Sequence, residues 1–156
     1  MRNSVKFQIR VATVSDVSVL YDLLFEMFED IYGAENVSAL QATVGDSIIS
    51  AVERNHAYVA EENGKVVAFI TLNTSFEFDS TQGLYIEDFC VTKAKRNKGY
   101  GSLLLKMVLQ YAKGLGLSPV YLHVEQTNTQ AKDFYTKFGF SIVKTDKSRY
   151  LMKKSL

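Results

Sequence analysis

One dipeptide, Asn63-Gly64, constrains the fold of this chain more than any other feature of its sequence. It separates two apolar segments rich in β-branched and aromatic residues, within HAYVAEENGKVVAFITLNT. Asn-Gly tolerates the positive φ angles of a two-residue turn whose twist matches that of paired strands. The stretch therefore predicts a β-hairpin, and the sheet must contain at least one antiparallel pair.

Strand and helix patterns alternate along the chain with short connections. Thr13 and Asp16 form a capping-box-like start to a helix whose apolar residues recur at helical spacing as far as Gly33. A second helix is predicted over SALQATVGDSIISAV, although Gly45 weakens it. The remaining segments are strands FQIRVA, GLYIEDFCVT, PVYLHVE, FSIVKT and RYLMKK, and helices from about Gly101 to Lys113 and from about Thr129 to Phe138. This pattern predicts one α/β domain with a mixed sheet.

Size and composition exclude several classes of protein. A chain of 156 residues with 47% hydrophobic content is expected to form one domain with a substantial core. A net charge of +1 gives no reason to expect nucleic acid as a partner. Cys90 is the sole cysteine, which excludes an internal disulfide and a zinc cluster. Without a membrane-spanning run or a signal-peptide core, we expect a cytoplasmic protein with no metal.

The small net charge hides two blocks of opposite sign. From Val11 to Glu53 there are acidic residues but no Lys or Arg. From Val91 to Val124 there are basic residues but no Asp or Glu. A charge run is often only a solvated face, but two opposite blocks in one small domain suggest two ligands of opposite sign.

The basic block contains a glycine-rich turn between a strand and a helix, KRNKGYGSLLLKMVL, from Lys95 to Leu109. It is not a P-loop, because no lysine stands between the last glycine and Ser102, and it lacks the third glycine of a dinucleotide fingerprint. Consecutive amides at such a turn and the positive end of the helix can bind an anion such as a phosphate. An ordinary turn with solvated lysines explains this stretch, taken alone, equally well.

Two motifs together resemble the GCN5-related N-acetyltransferases (GNAT), which bind the pyrophosphate of acetyl-CoA at such a turn. The first is Arg96-x-x-Gly99-x-Gly101 after a strand ending in DFCV. The second is NTQAKDFYTKFGF, which is similar to the family's Asn-x-x-Ala-x-x-Phe-Tyr-x-x-x-Gly-Phe stretch. The opening IRVATVSDVSVLYDLL and the hairpin also resemble the family, so the similarity covers nearly the whole chain. Many members have glycine where this chain has Asn97.

The resemblance implies a single N-acetyltransferase domain over residues 1–156. Its fold would be a mixed, mostly antiparallel sheet of about six to seven strands flanked by about four helices. The enzyme would use acetyl-CoA, with a homodimer left open as its assembly. The main chain of Phe89 and Val91 would pair with the pantetheine arm as an added strand does. The full set of implied cofactor-binding residues is Phe89, Val91, Arg96, Asn97, Lys98, Gly99, Tyr100, Gly101, Ser102, Asn128 and Phe134. Asn128 is also expected to cap the helix that follows it.

The resemblance also implies catalytic residues. Related enzymes often carry a glutamate at the position of Glu87, where it would act as general base, directly or through water. His123 or a chain of waters remains an alternative base. The family's tyrosine at Tyr135 would protonate the departing thiolate, although packing alone would also explain an aromatic residue there. In Tyr-x-Glu-Asp, as in polyamine-type members, the adjacent Asp88 would meet the substrate amine.

The acceptor is predicted from the acidic block. In this family the segment joining the first two helices commonly lines the acceptor site, and here it reads FEMFEDIYGAEN with Glu26, Glu29, Asp30 and Glu35. These acids favour a cationic small-molecule amine, such as a polyamine or an aminoglycoside-like compound. A peptide or protein N-terminus is the competing acceptor. A non-catalytic acyl-CoA-binding module is the competing function, but it would need neither Glu87 nor Tyr135.

Overall fold

The computed structural model describes residues 4–44 and 47–156, which form seven strands and five α-helices. The strands are β1 (Phe7–Val11), β2 (Ala57–Glu62), β3 (Lys65–Phe78), β4 (Thr81–Val91), β5 (Val120–Glu125), β6 (Ser141–Asp146) and β7 (Arg149–Lys154). The helices are α1 (Val17–Tyr32), α2 (Val37–Val44), α3 (Ser47–Glu53), α4 (Tyr100–Gly114) and α5 (Thr129–Lys137). The predicted α/β class is confirmed, with one helix more than expected.

All seven strands belong to one sheet, in the order β1-β2-β3-β4-β5-β7-β6. β2 pairs antiparallel with both β1 and β3, and β7 pairs antiparallel with both β5 and β6. β4 and β5 run parallel, with Leu84 opposite Val120 and Ile86 opposite Leu122. The predicted hairpin is confirmed, because Asn63 and Gly64 adopt φ angles of 52° and 79° between β2 and β3. The sheet is thus mixed and mostly antiparallel, as predicted.

One compact part of the chain comprises the segment up to Thr71 together with Asp88–Lys106. Helix α1 follows the predicted capping box, in which the Thr13 N–H donates to Asp16 Oδ2 at 2.7 Å, and it ends at Gly33 with a φ of 89°. The helix predicted over 38–52 is instead two helices, α2 and α3, and Gly45 lies outside the described residues. The core of this part includes Leu20, Leu23 and Leu24 of α1, Ile48, Ala51 and Val52 of α3, Val59 of β2 and Phe69 of β3.

The other compact part comprises Leu72–Glu87 and Met107–Leu156. Strands β3 and β4 are joined by Asp79 and Ser80, both with positive φ, a second two-residue turn that the sequence analysis did not identify. At the start of the β4–β5 ladder, a Cβ on Gly83 would overlap the carbonyl oxygen of Pro119, so only glycine fits this close approach. Buried residues of this part include Leu84, Val120, Tyr121, Leu122, Leu151 and Met152.

No helix within the described residues is long and apolar enough to cross a membrane.

Candidate active site

The loop between β4 and α4 has the backbone geometry of an anion site. Asn97 and Gly99 adopt left-handed conformations, with φ angles of 62° and 87°. Alternation of left-handed and right-handed residues turns successive N–H groups toward the same side. The first hydrogen bond of α4 joins the Leu103 N–H to the Gly99 carbonyl at 3.1 Å. The N–H groups of Tyr100 and Gly101 therefore precede the helical hydrogen bonds and point out of the positive end of the helix.

The surface of this loop is open to solvent at Gly99. A Cβ built on Gly99 would meet no atom within 4 Å, so the loop surface is open at this residue. Lys98 is exposed beside it and supplies a positive charge, while Ser102 is half-buried in the first turn of α4. Open backbone amides, a helix N-terminus and a nearby lysine are the groups that bind phosphate oxygens in proteins.

Two other loop cations, Lys93 and Arg96, lie against carboxylates of α1. Arg96 Nη1 is 2.6 Å from Asp30 Oδ2, and Arg96 Nε donates to the Val91 carbonyl at 3.1 Å. The Lys93 N–H donates to Glu26 Oε1 at 2.7 Å, and Lys93 Nζ is 3.6 Å from Asp30. The Arg96 guanidinium and Lys93 lower the pKa of Asp30. The two blocks of opposite charge seen in the sequence thus meet in the fold.

Tyr100 connects the first turn of α4 to the hairpin of β2 and β3. Its hydroxyl donates to Glu62, which also accepts a hydrogen bond from Lys95 Nζ at 2.8 Å. Lys95 first, and then Tyr100, lower the pKa of the Glu62 carboxyl, while Glu62 raises the pKa of Tyr100. The Tyr100 ring stacks on Phe7 with centroids 5.2 Å apart. The side chain of Tyr100 therefore fixes the helix start.

Asp88, predicted to meet the acceptor, is held by a buried residue of β3. Thr71 Oγ1 donates to Asp88 Oδ2 at 2.8 Å and accepts a hydrogen bond from the Asp88 N–H at 3.0 Å. Next to it, Phe89 is half-buried and Cys90 is buried. The Cys90 thiol lies 3.5 Å from the sulfur of Met27, and burial raises the pKa of the Cys90 thiol. Cys90 is therefore a small buried apolar residue rather than a nucleophile.

In the second part of the chain, Tyr85 of β4 hydrogen-bonds to His123 of β5. The Tyr85 hydroxyl is 2.6 Å from His123 Nδ1, and His123 Nε2 is 3.5 Å from Asp146 Oδ2. Burial, followed by the charge of Arg149, lowers the pKa of His123, so the neutral imidazole is favoured at pH 7. Tyr85 is the tyrosine of the Tyr-x-Glu-Asp motif, but the sequence assigned it no role because its partner His123 is 38 residues away. Its position two residues before Glu87, on the same face of β4, was the one available signal.

Glu87 and Tyr135 lie in different surroundings. The Glu87 side chain is exposed on β4. Tyr135 is half-buried on α5, where its ring lies edge-on to Phe140 with centroids 5.8 Å apart and its carbonyl accepts the Phe140 N–H at 3.1 Å. Phe134 packs against Phe138, the residue that follows the last residue of α5, with centroids 5.0 Å apart. The aromatic stripe of α5 thus packs, as its spacing predicts, without burying Tyr135 completely.

Two remaining predicted residues are Asn128 and Glu29. Asn128 begins α5, and its Oδ1 accepts the Ala131 N–H at 3.2 Å, which confirms the predicted helix cap. Glu29 is exposed on α1. Among the described residues, no group of three or more His, Cys, Asp or Glu side chains is arranged to hold a metal ion.

A protein-family model matches most of this chain. Residues 17–140 match the model described as the acetyltransferase (GNAT) family. The match extends from the start of α1 to the residue that precedes β6, so it includes the loop around Gly99 and all of α5.

Curated proteins with similar sequences are acetyltransferases by name. The chain is 32% identical over 136 residues to the uncharacterized N-acetyltransferase YhfO of Bacillus subtilis, covering 85% of this chain and 88% of that protein. It is 40% identical over 68 residues to N-alpha-acetyltransferase 50 of Danio rerio, covering 43% of this chain and 40% of that protein. Two other relatives are matched over 22% and 29% of their lengths. The chain thus spans less than half the length of several curated relatives that it matches.

A solved structure has the same fold over almost the whole chain. The PaiA N-acetyltransferase of Thermoplasma acidophilum, crystallised in complex with coenzyme A, superposes with a TM-score of 0.84. The match covers 97% of this chain and 99% of that one at 20% sequence identity.

Proposed function

The chain belongs to the acetyltransferase (GNAT) family, and we propose that it transfers an acetyl group from acetyl-CoA to a primary amine of a cationic small molecule. Acetyl-CoA is the acyl donor of this family and supplies a thioester carbon that an amine can attack. The observation that carries the proposal is the loop before α4, where left-handed residues at 97 and 99 present amides at a helix N-terminus. We assign the phosphates of the donor to this loop.

The proposed donor site uses main-chain groups more than side chains. Amides of residues 97–102 bind phosphate oxygens, with Lys98 as an exposed counter-charge. The main chain of Phe89 and Val91 borders the pantetheine arm, as in strand addition. Since the Val91 carbonyl already accepts a hydrogen bond from Arg96 Nε, the Val91 N–H is the group proposed to pair with the pantetheine arm. Asn128 is proposed as a further contact that also caps α5.

Attack requires a neutral amine, and an alkylammonium with a pKa near 10.4 needs roughly 4–5 kcal/mol to lose its proton at pH 7. Two groups of the chain are proposed to receive that proton. Glu87 is exposed, so it would act through water. Tyr85 would accept the proton while passing its own to His123 Nδ1, a relay that the 2.6 Å contact supports. The lowered pKa of His123 keeps its imidazole neutral at pH 7, so Nδ1 is available to accept.

The CoA thiolate that leaves when the thioester carbon–sulfur bond breaks needs a proton. Tyr135 is proposed as its donor, because a phenol can transfer a proton to a thiolate and the family motif carries tyrosine at this position. Incomplete burial of Tyr135 is compatible with contact between its hydroxyl and a ligand.

The proposal of a cationic acceptor is supported by the charge of the segment around the β3–β4 turn. Residues 72–87 contain Glu77, Asp79 and Glu87 and no Lys or Arg. All three acidic side chains are exposed. Phe76 stacks on Tyr85 with centroids 4.4 Å apart, which adds aromatic faces suited to an ammonium group. Glu29 and Asp88 are proposed as further contacts of the amine. An acidic segment with aromatic faces favours cations over neutral or acidic acceptors.

A panel of acceptors tests this proposal. Spermidine, an aminoglycoside, a basic peptide and a neutral amino acid are compared at low and moderate salt by release of free thiol from acetyl-CoA. We expect the small polyamine or aminoglycoside to be the most efficient, with an efficiency that falls as salt rises. Preference for the neutral amino acid, or insensitivity to salt, contradicts a cationic acceptor.

A peptide N-terminus is the second candidate acceptor. It is favoured by the match to N-alpha-acetyltransferase 50 of Danio rerio, which is 40% identical over 68 residues. The same panel separates the two candidates if it includes a neutral peptide with a free N-terminus. Acetylation of that peptide in preference to spermidine would assign the chain to peptide substrates.

A further inference from the structure

The sequence predicts that the carboxylates of α1 bind an acceptor, yet two of them contact the loop before α4. Glu26 accepts the Lys93 N–H at 2.7 Å and the Thr92 hydroxyl at 3.2 Å, and Asp30 contacts Arg96 at 2.6 Å. We propose that Glu26 and Asp30 are positioning residues, which hold the phosphate-binding loop in the conformation that binds the donor. This inference rests on the proposed function, because it assumes that the loop binds acetyl-CoA.

Glu26 fixes the point where the chain leaves β4. Residues Lys93–Lys95 form a short 3-10 turn, and the Lys93 N–H is its first donor, with no acceptor inside the turn. A carboxylate at 2.7 Å from an amide nitrogen forms a charge-assisted hydrogen bond, about twice as strong as one between neutral groups. The Thr92 N–H donates to the Val67 carbonyl of β3 at 2.8 Å. Residues 92 and 93 are thus held from both the helix and the sheet.

Asp30 fixes the residue that precedes the left-handed part of the loop. The Arg96 guanidinium donates through Nη1 to Asp30 and through Nε to the Val91 carbonyl at 3.1 Å. It therefore joins the end of β4, the loop and α1 at one side chain. Asn97, the first left-handed residue, follows immediately. The conformation of the anion site is thereby coupled to a carboxylate that does not itself face an anion.

Electrostatic repulsion alone predicts that Glu26 and Asp30 weaken the binding of CoA, whereas a positioning role predicts that they strengthen it. A carboxylate close to a phosphate site repels the phosphate, so its removal should strengthen the binding of CoA. If the acids position the loop, their removal should weaken the binding of CoA. If they bind the acceptor, their removal should raise the KM of the amine and leave CoA binding unchanged. Repulsion, loop positioning and acceptor binding are therefore distinguished by two measurements. One is whether CoA affinity rises or falls on removal of the acid, and the other is whether the KM of the amine changes.

The experiment measures CoA binding by isothermal titration, and the KM of acetyl-CoA and of the amine, for Asp30→Asn and Glu26→Ala. We expect each variant to bind CoA about tenfold more weakly, within the range of coupled networks. The KM of acetyl-CoA should rise while the KM of the amine stays unchanged, and Asp30→Glu should recover part of the loss. The matched control is Asp22→Asn, which removes the same charge from an exposed position of α1 and should not weaken binding.

The outcomes separate this inference from the proposed function. If the parent protein binds CoA and both variants bind it as tightly or more tightly, the inference is overturned and the proposed function stands. If the parent does not bind CoA, the proposed function fails and the inference fails with it. Melting of each variant without ligand reports its folding. Should Asp30→Asn not fold, Glu26→Ala and Asp30→Glu are expected to weaken CoA binding in the same direction, and unchanged binding in both overturns the inference.

Discussion

The loop before α4 and the cluster of Tyr85, His123 and Asp146 are proposed to serve the reaction in different ways. In the loop, the groups proposed to bind the ligand are backbone amides, and Arg96 and Lys93 contact carboxylates of α1. In the cluster, the side chains themselves are the groups proposed to react. His123 is only 13% exposed, hydrogen-bonded to Tyr85 at 2.6 Å, and its pKa is lowered by burial.

This difference indicates which substitutions each region tolerates. The loop should depend on backbone conformation and tolerate changes of side chain that preserve it. Asn97 illustrates this, because its φ of 62° lies in a region that asparagine adopts more readily than most residues. The cluster should depend on the identity of single atoms, because losing one hydroxyl or one ring nitrogen removes a proton-transfer step.

The largest effect is expected from Tyr135→Phe, which removes one oxygen. Turnover should fall by about 10²–10⁴-fold, the usual contribution of a general acid, while CoA affinity stays unchanged. Steady-state kinetics and isothermal titration measure the two quantities. Tyr150→Phe, in β7, is the matched control and should retain full turnover. Equal loss of turnover in both variants would contradict the assignment of Tyr135.

Gly99→Val tests the dependence of the loop on its backbone. A β-branched residue is strongly disfavoured at a φ of 87°, so the loop amides should move and CoA should bind about a hundredfold more weakly. Gly64→Val is a matched control, because Gly64 also has a positive φ, of 79°, and open space around its Cβ position. Both variants should melt earlier than the parent, but only Gly99→Val should lose the rise in melting temperature that acetyl-CoA causes.

Asp16→Asn tests whether an ion pair outside the loop is purely structural. Arg10, followed by the N–H of Thr13, lowers the pKa of Asp16 from 3.8 to about 2. A lowered carboxyl pKa stabilises the fold by about 2 kcal/mol above the unfolded pKa, and this contribution is lost as pH falls from about 4 to 2. Asp16→Asn should therefore be less stable than the parent at pH 7, with a smaller difference at pH 2. Urea unfolding measures this, and turnover should be unchanged.

The smallest change in free energy is expected from Tyr85→Phe and His123→Gln, since Glu87 offers a second route for the proton. Each should lower kcat/KM about tenfold at pH 7. The kcat/KM of the double variant should equal that of the less active single variant, because the two residues act as one relay. Activity should fall as pH drops through the pKa of His123, which lies below 6.5. His123→Gln should lack this acid limb. Additive losses of kcat/KM in the double variant, or an acid limb that persists in His123→Gln, would contradict the relay and favour Glu87 as the base.

Local signals predicted most of the fold. Asn63-Gly64, the Thr13–Asp16 start, the Gly33 end of α1 and the Asn128 cap each depend on residues within four positions of one another, and the structure has all of them. The Asp79-Ser80 turn was missed because its residues are less specific for positive φ than Asn-Gly.

Contacts distant in sequence could not be predicted in this way. Glu26 and Asp30 lie 67 and 66 residues before the loop groups they contact, so the sequence showed two blocks of charge but not that the blocks meet. The acids were consequently interpreted as an acceptor site alone. Tyr85 and His123 lie on different strands, and their contact depends on the parallel pairing of β4 and β5, which no local pattern specifies.

The central claim is that this chain transfers an acetyl group rather than only binding acyl-CoA. The most direct test follows free thiol released from acetyl-CoA with and without amine, for the parent and for Tyr135→Phe. We expect the parent to release thiol in an amine-dependent reaction, and Tyr135→Phe to bind CoA as well as the parent but to release thiol far more slowly. Tight binding of CoA by the parent, with no release of thiol for spermidine, aminoglycoside or peptide, would contradict the claim and identify a binding module.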